Sequence, residues 1–303
     1  MTFFSVSDIN NNVISQKDSF IKDCENAYKN QLLRITDEIC RKGGRQLIML
    51  AGPSSSGKTT TARLLKEDCE LKGRHASVIS LDDFYRNQDV SFYFEDGTVD
   101  YETVKALDTD LIEVCLKALL AEGKADIPYF SFTTKQREGF SSLEVAADEI
   151  IIVEGLHALH PMITDCLEGE NMKKLYVSVS SRVYHDGSVM LTKRDMRFVR
   201  RLIRDYHFRD SSVEYTYYLW KGVRMGEDRY LFPHSGKADV RIDSIHPYEP
   251  CIFKDIAIKL LDHIDENSIY YASATQLKAK LEKFVSLSEA DVPGTSLLKE
   301  FIG

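Results

Sequence analysis

The chain has 303 residues, 43% hydrophobic and 28% charged, with a net charge of -8; this composition buries a core and excludes disorder, and the acidic balance argues against a general nucleic-acid binder. No stretch nears the roughly 18 apolar residues of a membrane span, and MTFFSVSDINNN lacks a signal-peptide pattern. The six cysteines form no CxxC pair, which disfavours a zinc site or disulfide framework and fits a cytoplasmic protein with no nucleic-acid or membrane partner.

From Ser15 to Lys42, the residues Phe20, Ile21, Ala27, Leu32, Leu33, Ile35 and Ile39 recur at helical spacing, and Gly43-Gly44 ends the helix, so 1–44 reads as a helical extension. Gln46 to Ala51, QLIMLA, reads as a buried strand, followed by a Gly/Ser-rich turn and a helix through Lys72. The alternation continues with strand His75–Leu81, helix Thr109–Glu122, strand Glu149–Val153, helix Pro161–Leu167 and strand Lys174–Val179. Strands separated by helices require crossover connections, so the expected fold is α/β with a doubly wound, mainly parallel sheet. Val189 to Tyr218 reads as helical and basic, Asp239–Ile242 as a last strand, and Ile252–Ile264 and Thr275–Val285 as amphipathic helices packing on the core or on another subunit, which leaves a homo-oligomer open.

Gly52 to Thr59, GPSSSGKT, matches GxxxxGK[ST] between a strand and a helix, where a phosphate-binding loop must sit. Glycines let backbone N–H groups turn inward, and the helix start adds partial positive charge. Gly52, Pro53, Ser54, Ser55, Ser56, Gly57, Lys58, Thr59 and Thr60 are therefore the ATP-binding candidates, with Lys58 reaching the β- and γ-phosphates and Thr59 placing its hydroxyl on Mg²⁺. The strand ending SLDDFY delivers Asp82 and Asp83 to the same sheet edge. Transfer to an alcohol needs a carboxylate to accept the hydroxyl proton; Asp82 is the candidate base and a metal candidate, while Asp83 either caps the next helix or joins the substrate side. A third strand ends IIVEGLHAL, and Glu154 at its edge is a candidate Mg²⁺ ligand, with His157 and His160 read as structural.

GPSSSGKTT, SLDDFY and VEGLHAL in this order resemble the uridine kinase and phosphoribulokinase family of P-loop kinases, from about Arg45 to Ser244. The resemblance implies a P-loop NTPase fold (45–250) with a helical lid (182–235) and a substrate-covering β-hairpin, followed by a C-terminal helical segment (251–303). It also implies Asp82 as base, Glu154 serving the metal, and Tyr85 lining the acceptor pocket. EDGTVDYE, Glu95–Glu102, resembles the family's acidic loop, with Asp96 the candidate for holding ribose hydroxyls or an Asp-Gly turn. IPYFSFTTKQR resembles the hairpin that closes over the nucleoside, making Phe130, Lys135 and Arg137 substrate-side candidates. It departs from the uridine kinase pattern in having Phe130 and Lys135 where that pattern has tyrosine and histidine, and a neutral base does not require the Lys135 charge.

KRDMRFVRRLIRD resembles the lid helix; by that likeness Arg201 faces the acceptor and Arg204 the ATP phosphates. Between Arg182 and Arg209 there are eight Lys or Arg against three Asp, crowding that favours an anion among them over a merely solvated face. The stretch from Trp220 to Val240 resembles a subgroup whose kinase domain can be joined to one like those of threonyl-tRNA synthetases, with Trp220, Arg224 and Tyr230 as candidate acceptor contacts or, for the tryptophan, core. The expected activity is ATP- and Mg²⁺-dependent phosphorylation of a uridine- or cytidine-like nucleoside hydroxyl. The alternatives are a kinase of the same fold for an anionic or pantothenate-like alcohol, and a nucleotide-binding regulatory module without catalysis.

Overall fold

A computed structural model describes residues 3–87 and 92–303. The chain begins with β1 (Phe3–Ser5) and α1 (Val6–Cys40), where the Ser5 hydroxyl caps the helix by accepting the Asp8 N–H at 2.9 Å. The helix thus starts well before Ser15, with a break at Gln16, whose backbone is non-helical. Next come β2 (Gln46–Ala51), α2 (Lys58–Leu71), β3 (Ala76–Ser80), α3 (Thr109–Ala121), β4 (Lys124–Ser131), β5 (Gln136–Glu144), β6 (Ile150–Glu154), α4 (Pro161–Thr164) and β7 (Met172–Ser178). The chain continues through β8 (Arg182–His185), β9 (Ser188–Leu191), α5 (Lys193–Arg209), α6 (Val213–Gly226), β10 (Val240–Asp243), α7 (Glu249–Leu261), α8 (Tyr271–Leu281) and α9 (Lys299–Ile302).

The central sheet is parallel throughout, in the order β10-β7-β2-β6-β3, and contains all five strands expected from the sequence. Every residue of β2 and β6 is buried, as required of strands covered on both faces. Alternate side chains separate into two cores. Ile48, Leu50, Ile152 and Leu175 join one with α1, α2, α5 and α7, whereas Leu47, Met49, Ile151 and Val153 join the other with α3.

The segment Val189–Tyr218, read from the sequence as helical, begins instead in a strand and is broken in two. Residues 182–191 form the antiparallel pair β8–β9, turned at Asp186 (φ 47°) and Gly187 (φ 75°), and β8 pairs in parallel with β1. Strands this short carry little periodicity. Beyond α5, Asp210 adopts a left-handed conformation and Ser212 caps α6 by accepting the Tyr215 N–H at 3.2 Å, so the helix is broken in two.

The α5–α7 contact carries an ion pair with no solvent exposure: Arg200 Nε donates to Glu249 Oε2 at 2.7 Å, and its other nitrogens reach the Ser244 carbonyl (2.8 Å) and the Ser55 carbonyl (3.4 Å). Removing one partner strands the other charge in the core, which costs far more than the pair gains. Glu249→Ala is therefore expected to lower stability by about 3–5 kcal/mol in urea unfolding.

Candidate active site

Strand register brings the reactive groups together. Leu50 of β2 and Ser80 of β3 both lie opposite Glu154 of β6, so the loops after all three strands leave at one edge. A side chain on Gly52 would lie 2.3 Å from the Val177 carbonyl oxygen, so only glycine lets the loop pass β7 so closely. Ser55 (φ 57°) and Gly57 (φ 84°) complete the turn in left-handed geometry.

The first bond of α2 runs from the Thr61 N–H to the Gly57 carbonyl (2.8 Å), leaving the preceding N–H groups without helical partners. Among the described residues, the Ser55 and Ser56 hydroxyls are buried without hydrogen-bond partners, and Lys58 Nζ donates only to the Pro53 carbonyl, at 3.3 Å. Unpaired donors around a concave glycine-rich turn suit a polyphosphate tail. Glu154, itself buried, accepts from both the Thr59 and Ser80 hydroxyls at 3.3 Å. Burial raises the pKa of its carboxyl, Lys58 opposes this and the charge of Asp82 adds to it. A hydroxyl and a carboxylate oxygen side by side form a hard, oxygen-only donor set that fits Mg²⁺.

Asp82 sits in the short turn after β3, where its N–H donates to Ser80 Oγ at 3.3 Å. Surrounding protein raises its pKa although the side chain remains open to solvent, while Lys58 and Arg209 pull it down. Thus Lys58, Thr59, Asp82 and Glu154 share one cluster, as the motifs imply.

The lid arginines divide into two groups. Arg197 is buried against Glu227 at 2.5 Å, and Glu227 also accepts the Ser54 N–H at 2.8 Å, while Arg200 belongs to the Glu249 pair. Arg201, Arg204 and Arg209 instead share one carboxylate, Asp205, at 3.0, 3.1 and 3.5 Å. Three cations on one anion leave an uncompensated positive charge. Arg201 extends it to the phosphate loop by donating to Ser54 Oγ at 2.9 Å, whereas Arg204 meets Asp205 rather than the loop. Glu227 and Arg209 were not singled out in the sequence: the first lies within the Trp220–Val240 stretch and the second at the end of the basic run, but their roles depend on partners distant in the chain, Arg197 and Ser54 for Glu227 and Asp82 for Arg209.

On the acceptor side, the structure places several candidates differently. Asp96 is in a tight turn, accepting the Thr98 N–H at 3.0 Å and the Lys221 ammonium at 2.7 Å, and these partners hold its pKa down to about 2. The carboxyl that meets the cluster is Glu102, pushed up to about 7 by burial and the charges of Glu227 and Asp82 against the pull of Arg201 and Lys58. Its position depends on Gly226 of α6, where an added Cβ would lie 2.3 Å from Glu102 Cβ. Asp100, also buried, accepts the Tyr230 hydroxyl at 2.6 Å.

Tyr85, Phe130 of β4 and Phe132 of the β4–β5 turn form an aromatic group with centroids 5.2–5.7 Å apart. Asp83 accepts a backbone hydrogen bond from Phe130, which offsets the rise due to burial and ties the turn to the hairpin. Arg137 is engaged by Asp108 at 3.1 Å, and Lys135 is exposed at the hairpin tip with φ 57°. Trp220 is buried beneath the Arg197 guanidinium, a core position, and Arg224 is exposed.

Residues 47–248 match the model of the Phosphoribulokinase / Uridine kinase family. The chain belongs to this family. It is 29% identical over 199 residues to a uridine kinase of Macrococcus caseolyticus, covering 65% of this chain and 86% of the relative. It is 31% identical over 208 residues to a uridine kinase of Deinococcus deserti, covering 68% and 91% respectively. A solved structure of a proposed fructose transport system kinase from Silicibacter sp. TM1040 shares the fold at 19% identity, with a TM-score of 0.50 over 69% of this chain and 98% of that one. The family bears out the P-loop α/β fold and the reading of the chain as a small-molecule kinase. No helix among the described residues is long and apolar enough to cross a membrane.

The raised pKa of Glu102 sets a pH dependence. Its carboxyl ionises near 4.5 in the unfolded chain and near 7 in the fold, so the folded state loses stability as pH rises through that window. Glu102→Gln is expected to match the parent below about pH 4.5 and to exceed it by about 1–3 kcal/mol above pH 7, measured by urea unfolding without nucleotide.

Proposed function

We propose that this chain transfers the γ-phosphoryl group of ATP to a hydroxyl of a neutral, ring-bearing polyol, a nucleoside of the uridine or cytidine kind, in the cytoplasm. The observation that carries the reading is the convergence of Thr59, Ser80, Lys58 and Asp82 on Glu154 beside a loop of unpaired donors. Lys58, the free N–H groups and the Ser55 and Ser56 hydroxyls bind the donor's phosphates. Mg²⁺, held through Thr59 and Glu154, would supply charge neutralisation on the transferred group.

Asp82 takes the acceptor proton. A carboxylate whose proton affinity is raised by its surroundings is a stronger base than a fully solvated one. Arg201, Arg204 and Arg209 balance the charge that develops on the phosphoryl oxygens. Glu102 takes the diol-binding role that the sequence assigned to Asp96, because it shares the electrostatic environment of Asp82 and Lys58. The aromatic group of Tyr85, Phe130 and Phe132 offers ring faces to a base. Relatives named uridine kinase support the same acceptor class.

The acidic acceptor side disfavours the anionic alternative. Asp82, Asp100 and Glu102 all act on the Tyr85 hydroxyl, raising its pKa beyond the effect of burial, and a sugar phosphate placed among them would meet like charges. A pure binding module has no use for a base at Asp82.

An ADP-release assay with nucleosides, sugar phosphates and vitamin alcohols tests the reading. Uridine or cytidine is expected to stimulate release. Asp82→Asn should lower kcat by a factor on the order of 10²–10⁴ with ATP binding retained, and Glu102→Gln should raise the acceptor KM. Undiminished turnover in Asp82→Asn would remove the base, and a response only to sugar phosphates would remove the nucleoside.

A further inference from the structure

The segment after α8 returns to the phosphate loop. The Thr60 hydroxyl donates to Glu300 Oε2 at 2.6 Å, a contact between residues 240 positions apart. Leu297 packs on Gly57 so closely that a Cβ there would lie 2.5 Å from it, and the Phe301 ring lies 5.2 Å from the guanidinium of Arg200, which itself reaches the Ser55 carbonyl. The Ser296 hydroxyl anchors the turn by donating to Glu25 Oε1 at 2.7 Å. All of these C-terminal residues lie beyond the stretch 47–248 that the family shares.

Thr60 lies in the first turn of α2, where free N–H groups and the helix dipole favour an anion. That turn has no acidic residue of its own. The carboxylate beside it comes from Glu300, which joins no ion pair among the described residues and has the Thr60 hydroxyl as its hydrogen-bond donor there. A negative group therefore already engages a hydroxyl on the helix turn that a nucleotide's phosphates approach.

We propose that Glu300 is an internal competitor for the donor site: its carboxylate holds the Thr60 hydroxyl in the nucleotide-free protein, and binding of a nucleoside di- or triphosphate swings that side chain away while Leu297, Leu298 and Phe301 keep the turn 296–301 in the core. The proposal rests on the donor-site reading above. It makes the C-terminal turn a determinant of donor affinity, acting by like-charge repulsion and by competition for one hydroxyl.

Titration calorimetry with Mg-ADP on the full chain, its Glu300→Gln variant and its Glu300→Ala variant reads the effect. Both substitutions should tighten binding by about tenfold, the scale of one partly screened charge a few ångströms from a phosphate. Salt gives an independent measure: because the effect is like-charge repulsion at a half-buried side chain, raising the ionic strength should shrink the difference between the parent and Glu300→Gln. Unchanged or weaker ADP binding in both variants, or a difference between parent and Glu300→Gln that salt leaves intact, overturns the proposal. Parent protein that binds ADP without these effects refutes only the role of Glu300, whereas parent protein that ignores ADP refutes the donor site as well.

Discussion

The site depends on one buried carboxylate. Glu154 ends a strand whose other residues are all apolar and buried, and the parallel register sets it between the ends of β2 and β3. A carboxylate in that position needs donors, and the Thr59 and Ser80 hydroxyls provide them. This ties the phosphate loop, the strand carrying Asp82 and the central strand to one point. A one-residue slip in either pairing would turn Glu154 into a core and separate the three.

Charge around that point is arranged in layers. Deep in the molecule, Arg197 and Arg200 each have a dedicated carboxylate, and both pairs also touch the loop, through Glu227 on the Ser54 N–H and Arg200 on the Ser55 carbonyl. Such pairs fix geometry more than they add stability. Nearer the cleft, Asp205 is the one ion-pair partner of Arg201, Arg204 and Arg209 among the described residues, with Asp82 acting on Arg209 and Glu102 on Arg201 at longer range, so their field is only partly cancelled. The same helix thus supplies a rigid frame on its buried side and a phosphate-facing surplus on the other, a division that residue spacing does not reveal.

Much of this was legible in the sequence where local chemistry forces the structure. The central strands β2 and β6 were legible because their apolar runs leave little choice, and the loop GPSSSGKT because glycine and lysine at that spacing fold in few ways. The clustering of Lys58, Thr59, Asp82 and Glu154 followed from strand ends. What the sequence hid depends on distant partners. Asp96 and Glu102 lie in one acidic segment and look interchangeable there, but Lys221 and Thr98 engage the first, and the close approach of Gly226 steers the second into the cluster. The β8–β9 pair was hidden because four-residue strands carry little periodicity, and β8 draws its second partner, β1, from the far end of the chain.

The flanking segments form part of the same construction. From α1, the Tyr28 hydroxyl meets Thr61 at 2.8 Å, one residue beyond Thr60, which Glu300 holds from the opposite end of the chain. Glu25, also on α1, receives hydrogen bonds from Tyr248 and from Ser296, linking the start of α7 to the C-terminal turn. The helix that presents Lys58 and Thr59 is therefore clasped by residues from both flanks of the family-matched stretch. Since packed elements shift together rather than deform one by one, a change in how α2 meets a phosphate must be accommodated in these flanks; Leu297, Leu298 and Phe301 anchor the C-terminal turn in the core, so the freedom there lies in the half-buried Glu300 side chain.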